Sequence, residues 1–245
     1  MRLKNKVAVV TGGARGLGKA IAQAFLAEGA TVVITDINED SVRQTAEELS
    51  AAGTVEGVSM DVSQFDGVQR GMAGIIEKHG RVDILVNNAG ITADAQLVKM
   101  TEAQFDTVIA VNLKGVFCCT KAVVGSMIEK GYGRIINISS VTAHNGNFGQ
   151  TNYAATKAGV ISMAQTWAKE LGKKGVTANA VAPGYTATEM VQKVPEKILD
   201  SITAKTPVRR LGMPEEIAAA CVYLASDEAA FVNGAVLKVD GGLAL

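Results

Sequence analysis

Residues 11–18 read Thr-Gly-Gly-Ala-Arg-Gly-Leu-Gly, and this stretch decides the fold class of the chain. It follows an apolar run at residues 7–10, Val-Ala-Val-Val, that is typical of a buried strand. It leads into residues 17–28, where apolar side chains recur at the i, i+3, i+4 spacing of a helix. A glycine-rich turn from strand to helix lets the backbone approach a pyrophosphate, which free N–H groups at the helix start can bind. The stretch therefore predicts a dinucleotide-binding loop, although the glycines alone would also suit a purely structural turn.

Short β-branched runs alternate with helical patterns along the rest of the chain. Predicted strands lie at residues 7–11, 31–35, 55–60, 84–87, 134–139, 177–182 and 236–239. Predicted helices lie near residues 17–28, 39–52, 65–79, 102–130, 153–172 and 214–225. Because the strands are apolar on both faces and alternate with helices, we expect a doubly wound, Rossmann-like parallel sheet of about seven strands. Helices should cover both faces of this α/β fold.

No Pro/Ser-rich linker, repeat or low-complexity tract divides the chain, so we expect a single domain over residues 1–245. Its least regular stretch is residues 185–213, which contains Pro195, Pro207 and Gly212. This stretch follows the end of a predicted strand, where ligands bind in this fold class. We therefore predict that residues 185–213 form a mobile substrate lid within the domain.

The composition favours a globular protein: 48% of the residues are hydrophobic and 20% are charged. Lys and Arg number 24, as do Asp and Glu, so the net charge favours neither nucleic acid nor an anionic membrane as a partner. Three cysteines, with Cys118 and Cys119 adjacent, are typical of core packing in a reducing compartment. His79 and His144 have no Cys or carboxylate at ligand spacing, so we expect no metal site.

The same sequence predicts a cytoplasmic location. Residues 1–6, Met-Arg-Leu-Lys-Asn-Lys, run straight into the first strand, without the apolar core of a signal peptide. The longest uncharged stretch, residues 135–156, is rich in Asn, Ser, Thr and Gln, so it is not expected to span a bilayer. We expect no membrane partner.

Polar or small residues also follow the next three strands, on the edge where ligands bind. Asp36 ends the second strand, where its carboxylate can accept hydrogen bonds from the adenine ribose and repel a 2′-phosphate. It could instead cap the helix that starts near Asn38. Arg15 favours a 2′-phosphate, but it could equally lie along the pyrophosphate. We therefore expect NAD(H), with NADP(H) as the less favoured cofactor.

Asp61-Val62 follows the third strand and is placed to contact the adenine edge. Asn87-Asn88-Ala89-Gly90 follows the fourth, where small residues let the adenosine part of the cofactor lie close. Each of these segments alone could be turn chemistry. Their repetition at consecutive strand ends is what favours a cofactor site.

The catalytic candidates are Ser140, Tyr153 and Lys157. Ser140 ends the fifth strand, and Tyr153 and Lys157 are four residues apart on the next helix, so they share a face. An ammonium should lower the pKa of a phenol, so we expect Tyr153 to act as the general acid and base near neutral pH. Ser140 can donate a hydrogen bond to a carbonyl oxygen as it gains negative charge. Because a nicotinamide would supply the hydride, no protein nucleophile is needed.

In combination these residues resemble the short-chain dehydrogenase/reductase family over essentially the whole chain. The resemblance implies that Asn112 holds a helix bend and a water that passes protons to Lys157. It also implies that Lys157 binds the nicotinamide ribose, and that Thr186 and Thr188, after Pro183-Gly184, contact the carboxamide end. The motifs that carry it are Thr11-Gly12-x-x-x-Gly16-x-Gly18, Asn87-Asn88-Ala89-Gly90, Asn112, Ser140, Tyr153-x-x-x-Lys157 and Pro183-Gly184.

The expected site residues follow from the motifs and the resemblance together. The expected catalytic residues are Asn112, Ser140, Tyr153 and Lys157. The expected cofactor-binding residues are Gly12, Arg15, Gly16, Leu17, Gly18, Asp36, Asp61, Val62, Asn88, Ala89, Gly90, Tyr153, Lys157, Pro183, Gly184, Thr186 and Thr188.

Within the family, residues 87–92, 146–153 and 239–242 are most similar to bacterial 3-oxoacyl-acyl-carrier-protein reductases of fatty acid biosynthesis. The resemblance implies a 3-oxoacyl thioester, carried on acyl-carrier protein or CoA, and a homotetramer. Those reductases usually use NADPH, which Asp36 disfavours, and they tend to have a basic residue where Tyr132 precedes Gly133-Arg134. A close alternative is therefore an NAD-dependent secondary-alcohol dehydrogenase acting on a small cyclic, aromatic or polyol substrate.

Other classes fit the sequence less well. A hydrolase using Ser140 and His144 would lack the G-x-S-x-G elbow. A non-catalytic dinucleotide sensor would not need Ser140, Tyr153 and Lys157 together. The substrate pocket is expected to take its lining from the lid and from Thr142, His144, Asn147, Phe148, Gln150 and Tyr185. The apolar end, Leu243-Ala244-Leu245, would suit burial against a neighbouring subunit or within the same one.

Overall fold

The computed structural model describes residues 1–192 and 196–243; Pro195, Ala244 and Leu245 of the sequence-based expectations lie outside them. Seven parallel strands form one sheet in the order β3-β2-β1-β4-β5-β6-β7. The strands are β1 Val7–Thr11, β2 Thr31–Asp36, β3 Val55–Ser59, β4 Ile84–Asn87, β5 Gly133–Ile138, β6 Val176–Pro183 and β7 Val236–Val239. The doubly wound parallel α/β fold expected from the sequence is confirmed.

Helices follow the strands in alternation and cover both faces of the sheet. They are α1 Gly16–Ala27, α2 Glu39–Leu49, α3 Phe65–His79, α4 Glu102–Ile109, α5 Gly115–Lys130, α6 Thr142–Asn145, α7 Thr151–Leu171, α8 Glu189–Gln192, α9 Glu196–Lys205 and α10 Pro214–Ala225. One buried cluster packs α1 and α10 on one face of the sheet, around Ile21, Phe25 and Ile217. The other packs α3 and α5 on the opposite face, around Met72 and Met127.

The predicted strand bounds agree with the structure to within one residue at each end. The short helices α6, α8 and α9 are not predicted by the sequence pattern. The expectation of irregular chain over residues 185–213 is wrong in part, because α8 and α9 lie within it. Among the side chains described in α9, only Ile202 is buried. One buried position does not give the i, i+3, i+4 pattern that predicts a helix.

By length and composition alone, one helical stretch in the described residues, Glu102–Lys130, could cross a membrane. In this fold its apolar side chains have another role. Cys118, Val123 and Met127 are fully or almost fully buried in the cluster that also holds Met72 of α3. Core packing therefore accounts for the apolar composition of this stretch.

Asp83 anchors the amino-terminal edge of the sheet, opposite the ligand-binding edge. Only 1% of its side chain is exposed. Its carboxylate accepts a hydrogen bond from the Val7 backbone N–H at 2.8 Å and from Arg81 Nε at 2.8 Å. Its carbonyl oxygen accepts from the Arg134 N–H at 2.9 Å. This one residue therefore ties the starts of β1, β4 and β5 together.

We predict that Asp83→Ala lowers the free energy of unfolding by about 2–4 kcal/mol, since the Val7 N–H and the Arg81 guanidinium lose a buried acceptor. Asp40→Ala is the matched control, because its carboxylate also pairs with an arginine, Arg43, but is fully solvated. That variant should lose less than about 1 kcal/mol. Denaturant unfolding of both variants measures the difference. Equal losses would show that Asp83 does not anchor the sheet.

Candidate active site

The residues predicted for the site follow the carboxyl ends of the strands, along one edge of the sheet. Strand order reverses between β1 and β4, which are neighbours although β2 and β3 separate them in the chain. In sheets of this kind ligands bind outside the carboxyl ends at the point of reversal. The glycine loop after β1 and residues 88–90 after β4 meet at this point.

Gly18 and Gly16 have opposite surroundings within the glycine loop. A Cβ on Gly18 would lie 2.2 Å from the Gly12 carbonyl oxygen, so tight packing of the loop on α1 requires glycine there. Gly16 has a φ of +54°, and a Cβ on it would meet only Thr188, at 3.9 Å. Among the residues described, no side chain caps the start of α1, and its first turn has no acidic residue. The open backbone at Gly16 and the uncapped helix start thus fit a pyrophosphate.

Thr11 and Asn88 hold the glycine loop against the end of β4. The Thr11 hydroxyl oxygen accepts hydrogen bonds from the backbone N–H groups of Asn88 and Ala89, both at 3.1 Å. The Asn88 side-chain amide donates to the carbonyl oxygens of Thr11 and Gly12, at 2.9 and 3.0 Å. Asn88 is therefore a positioning residue for the loop, and its direct contact with a cofactor stays a prediction.

Asp36 does not cap the next helix, so the alternative interpretation of this residue is wrong. The cap of α2 is Asn38, whose side chain accepts a hydrogen bond from the Ser41 N–H at 2.8 Å. Asp36 Oδ1 accepts only a long bond of 3.4 Å from the Asn38 N–H in the described part of the chain. Its partly exposed carboxylate at the end of β2 is thus available to accept hydrogen bonds from ribose hydroxyls.

Asp61 and Val62, after β3, shape the neighbouring part of the site. Asp61 Oδ1 accepts hydrogen bonds from the Ser63 backbone N–H at 2.9 Å and from the Ser63 hydroxyl at 2.7 Å. Val62 is buried, and its side chain lies so close to Gly115 that a Cβ there would be 2.8 Å away. Asp61 therefore stabilises the turn, while its contact with the adenine edge stays a prediction.

Asn112 lies in a π-helical turn, Ala110–Lys114, between α4 and α5. Its side chain is fully buried, and its amide accepts from the Ile91 N–H at 2.8 Å and donates to the Ile91 carbonyl at 2.9 Å. A Cβ on Gly90 would lie 3.5 Å from both Asn112 Oδ1 and Lys157 Nζ, so both groups lie close to that glycine. This π-helical turn lies where the family resemblance implies a helix bend; the role of Asn112 in a bend and in a water relay stays a prediction.

Ser140 and Lys157 both lie beside Tyr153. Ser140 follows β5, and Tyr153 and Lys157 lie one turn apart on α7. Lys157 Nζ is 5.5 Å from the centre of the Tyr153 ring and donates a hydrogen bond to the Ile138 carbonyl at 2.7 Å. The Ser140 hydroxyl oxygen accepts hydrogen bonds from the Thr142 N–H and hydroxyl, at 3.2 and 3.1 Å. The structure thus brings the three predicted catalytic side chains together.

The expectation that Lys157 lowers the pKa of Tyr153 does not hold in this arrangement. Burial raises the pKa of Tyr153 to about 12; a hydrogen bond from Ser140 lowers it in part, whereas Asp94 and Tyr185 add to the rise. Burial lowers the pKa of Lys157 to about 8. The physical cause is common to both residues, because desolvation penalises phenolate and ammonium alike.

The residues after β6 reach the glycine loop. Thr186 is buried, and its hydroxyl donates to the Gly184 carbonyl at 3.1 Å, which fixes the turn after Pro183. Thr188 is the nearest side chain to the open face of Gly16. Residues 183–188 therefore lie beside the expected pyrophosphate position, while their contacts with a carboxamide stay predictions.

The residues expected to line the substrate pocket divide into two groups. Thr142 is buried against Ser140, so it orients the catalytic hydroxyl and does not line an open pocket. His144, Asn147 and Phe148 are exposed, and the Phe148 side chain is 82% exposed. The disfavoured hydrolytic alternative, which would pair Ser140 with His144, has no hydrogen bond between them among the contacts of the described residues.

Asn152 is a functional residue that the sequence pattern does not single out. Its side chain is fully buried, and its amide donates to the Ala93 carbonyl at 3.0 Å and to the Gln104 carbonyl at 3.2 Å. Its oxygen accepts from the Tyr153 N–H at 2.8 Å. Asn152 therefore fixes the start of α7 at the catalytic tyrosine. Its position beside Tyr153 is the only sequence signal for this role.

Comparisons with known proteins agree with this geometry. A family model described as enoyl-(acyl carrier protein) reductase matches residues 12–244. The 3-oxoacyl-acyl-carrier-protein reductase FabG of Thermotoga maritima is 47% identical over 246 residues, covering 100% of both chains. The (2S)-[(R)-hydroxy(phenyl)methyl]succinyl-CoA dehydrogenase subunit BbsD of Thauera aromatica is 45% identical over 100% of this chain and 99% of its own. A putative gluconate dehydrogenase from Agrobacterium tumefaciens superposes with a TM-score of 0.95 at 33% identity, over 98% of this chain and 96% of the other.

Thr11→Val should weaken dinucleotide binding, because two N–H groups at the end of β4 lose their acceptor. We expect a loss of about 10-fold or more in NADH affinity, measured by fluorescence titration. Thr35→Val is the matched control: Thr35 lies opposite Thr11 in the β1–β2 register and is fully buried. Within the described residues its hydroxyl has no hydrogen-bond partner, so the affinity of that variant should stay within about twofold of wild type. A small loss in Thr11→Val would contradict the role given to its hydroxyl.

Proposed function

Because the chain belongs to the short-chain dehydrogenase/reductase family, whose members interconvert carbonyl and alcohol groups with a nicotinamide cofactor, we propose that it reduces 3-oxoacyl thioesters with NADH. The observation that carries the chemistry is the convergence of Ser140, Tyr153 and Lys157 at the carboxyl edge of the sheet. The thioester is supported by two full-length relatives, one named as a 3-oxoacyl-acyl-carrier-protein reductase and one as a succinyl-CoA derivative dehydrogenase.

The residues present fit a nicotinamide dinucleotide. The open backbone at Gly16 and the uncapped start of α1 would hold the pyrophosphate, and Asp36 would hold the adenine ribose. Lys157 would hold the nicotinamide ribose from the opposite end of the crevice. When bound, the nicotinamide supplies the hydride for carbonyl reduction or accepts it in alcohol oxidation.

Tyr153 supplies the proton that carbonyl reduction needs. With its pKa raised to about 12 by burial, the phenol is protonated at neutral pH and can donate to the carbonyl oxygen. The Ser140 hydroxyl is held by Thr142 so that it can donate a second hydrogen bond to the same oxygen as negative charge develops. In alcohol oxidation Tyr153 must first lose its proton, so that direction should gain rate as the pH rises.

Tyr153→Phe removes this proton donor while preserving the ring and its packing. We expect loss of at least about 100-fold in turnover, with NADH affinity within about threefold of wild type. Tyr132→Phe is the matched control, because Tyr132 lies at the opposite edge of the sheet, where its hydroxyl donates to Asp227 at 2.9 Å. That variant should retain turnover. Retained turnover in Tyr153→Phe would refute the assigned acid–base role.

NADH is proposed over NADPH because of Asp36. Its carboxylate can accept bonds from the ribose 2′- and 3′-hydroxyls and would repel a 2′-phosphate. The one cation of the glycine loop, Arg15, points toward Glu189, with 3.8 Å between their charged groups. Both side chains are largely exposed, so this pair is weak and the choice of cofactor rests on Asp36.

Asp36→Ala should therefore lower NADH affinity by about 10-fold and raise the affinity for NADPH. Asp40→Ala, a few residues along the chain on α2, controls for the loss of one acidic charge and should leave the ratio of the two affinities unchanged. Titration of both nucleotides against each variant measures the ratio. Tighter binding of NADPH than of NADH by the wild type would contradict the proposed role of Asp36 in selecting NADH.

A second candidate is an NAD-dependent secondary-alcohol dehydrogenase acting on a small cyclic, aromatic or polyol substrate. The close superposition on a putative gluconate dehydrogenase favours it, since that name denotes a polyhydroxy acid. The same three catalytic side chains would serve, with Tyr153 as the base. The two candidates therefore differ in the substrate pocket and not in the chemistry.

A cytoplasmic location and a homotetramer complete the proposal. The tetramer is supported by apolar side chains left at the surface of the described residues, notably Phe117 on α5 and Phe231 before β7. Leu243 contributes differently, because it is buried within its own subunit against Val141 and Ile202. For this residue, burial within the same chain is the arrangement that the structure shows.

A further inference from the structure

Asp94 lies in the loop after β4 and is bonded to the residue that immediately precedes α7, the helix that carries Tyr153. Its Oδ2 accepts a hydrogen bond from Gln150 Nε2 at 2.9 Å. Gln150 immediately precedes α7, and its carbonyl accepts from the Ala154 N–H at 2.8 Å in the first turn. The Asp94 carboxylate is therefore held at the end of α7 that carries Tyr153.

Backbone contacts on both sides of Asp94 fix it in this place. The Ala95 N–H donates to the Gly149 carbonyl at 2.9 Å, and the Asn152 side chain donates to the Ala93 carbonyl at 3.0 Å. Residues 93–95 are thus bonded at three successive positions to the segment that leads into Tyr153. Asp94 has a fixed position there, even though its side chain is exposed.

The same carboxylate connects to the base of the predicted lid. The Asn147 amide donates to Gln150 Oε1 at 3.0 Å and lies 3.4 Å from the Tyr185 hydroxyl. Asp94, Gln150, Asn147 and Tyr185 therefore form one chain of polar contacts along the side of the site. The outer end of this chain is a negative charge.

The charge of Asp94 acts on the reacting group itself. After burial and the Ser140 hydrogen bond, Asp94 is the next influence on the pKa of Tyr153, which it raises, and it also raises the pKa of Tyr185. The opposite charge nearby, Lys157, lies 5.5 Å from the centre of the Tyr153 ring and donates a hydrogen bond to the Ile138 carbonyl. A substrate whose carbonyl reaches Tyr153 must therefore lie within the field of the Asp94 carboxylate.

We propose that Asp94 selects substrates by charge, so that the site accepts 3-oxo esters and thioesters and disfavours free 3-oxo acids, whose carboxylate lies beside the reacting carbonyl. This inference rests on the proposed function, because it concerns the substrate of the same site. Repulsion between two carboxylates at an exposed rim is partly screened by water and salt. We therefore expect discrimination of about fivefold at low ionic strength, and less at high salt.

Asp94→Asn tests the proposal, because the asparagine oxygen can still accept the bond from Gln150 while the charge is removed. The substrates are acetoacetate and ethyl acetoacetate, which share the reacting ketone and differ in the carboxylate. We expect kcat/KM for the acid, relative to the ester, to rise about fivefold in the variant at low salt, and by less in 0.5 M NaCl. An unchanged ratio would overturn the proposal.

Asp66→Asn is the matched control, because Asp66 is an exposed acid in the first turn of α3, outside the contacts that join Asp94 to α7. It should leave the acid-to-ester ratio at the wild-type value. An equal rise in this variant would show that net charge, and not Asp94, sets the ratio, and would also overturn the proposal.

A second readout separates charge from structure. Removing the negative charge should lower the pKa of Tyr153, so Asp94→Asn should oxidise a neutral alcohol, ethyl 3-hydroxybutyrate, faster than wild type at pH 9. A purely structural loss would lower that rate instead, and this outcome would overturn the proposal.

The ratio of kcat/KM for the acid to kcat/KM for the ester is also measured in the oxidation direction, with 3-hydroxybutyrate and its ethyl ester. If the enzyme reduces neither the ketones nor a thioester but oxidises these alcohols, the proposed function is overturned. The acid-to-ester ratio of kcat/KM is then still measured from the two alcohols. Absence of turnover of both pairs in both directions would overturn the charge selection together with the proposed function.

Discussion

The structure of the site depends on the bonds that join β1 to β4 across the reversal in strand order. The Thr11 hydroxyl and the Asn88 amide make four hydrogen bonds between the two strand ends, none longer than 3.1 Å. They hold the glycine loop at the point where Gly16 presents an open backbone. Without these four hydrogen bonds, the uncapped start of α1 would have no fixed position relative to the site residues that follow β4 and β5.

Burial is the second constraint, and it governs the catalytic side chains. Lys157 is buried and Tyr153 is partly buried, so each favours its neutral form more than it would in solution. Neighbouring groups add smaller effects on the pKa of Tyr153, which Ser140 lowers and Asp94 raises. Lys157 donates a hydrogen bond to the Ile138 carbonyl. The protonation state of Tyr153, the proposed proton donor, is thus set by desolvation first and by neighbouring polar and charged groups second.

Much of this arrangement could be predicted from sequence, because it rests on short-range patterns. The apolar strands alternate with amphipathic helices, and the residues at their carboxyl ends necessarily meet along one edge of a parallel sheet. Tyr153 and Lys157 share a helix face through their spacing alone. These features require only the periodicity of strands and helices, so the sequence predicts them without knowledge of packing.

The remaining features depend on contacts between distant segments, which no local pattern encodes. The π-turn at Asn112 exists because its amide pairs with the Ile91 backbone in another loop. Asn152 and Asp94 gain their roles in the same way, from the segments that pack against them. The pKa of Tyr153 belongs to these features too, because spacing gives only the proximity of Lys157 along the helix, whereas burial is the largest influence on that pKa.

The central claim is most directly tested by initial rates on the purified enzyme with a short 3-oxoacyl thioester, acetoacetyl-CoA, beside a panel of secondary alcohols and polyols. Each substrate is assayed with NADH or NAD⁺ and with NADPH or NADP⁺, by following the absorbance of the reduced nicotinamide. We expect acetoacetyl-CoA with NADH to give the highest kcat/KM of the set. Absence of thioester turnover with either cofactor, together with rapid oxidation of a secondary alcohol, would contradict it.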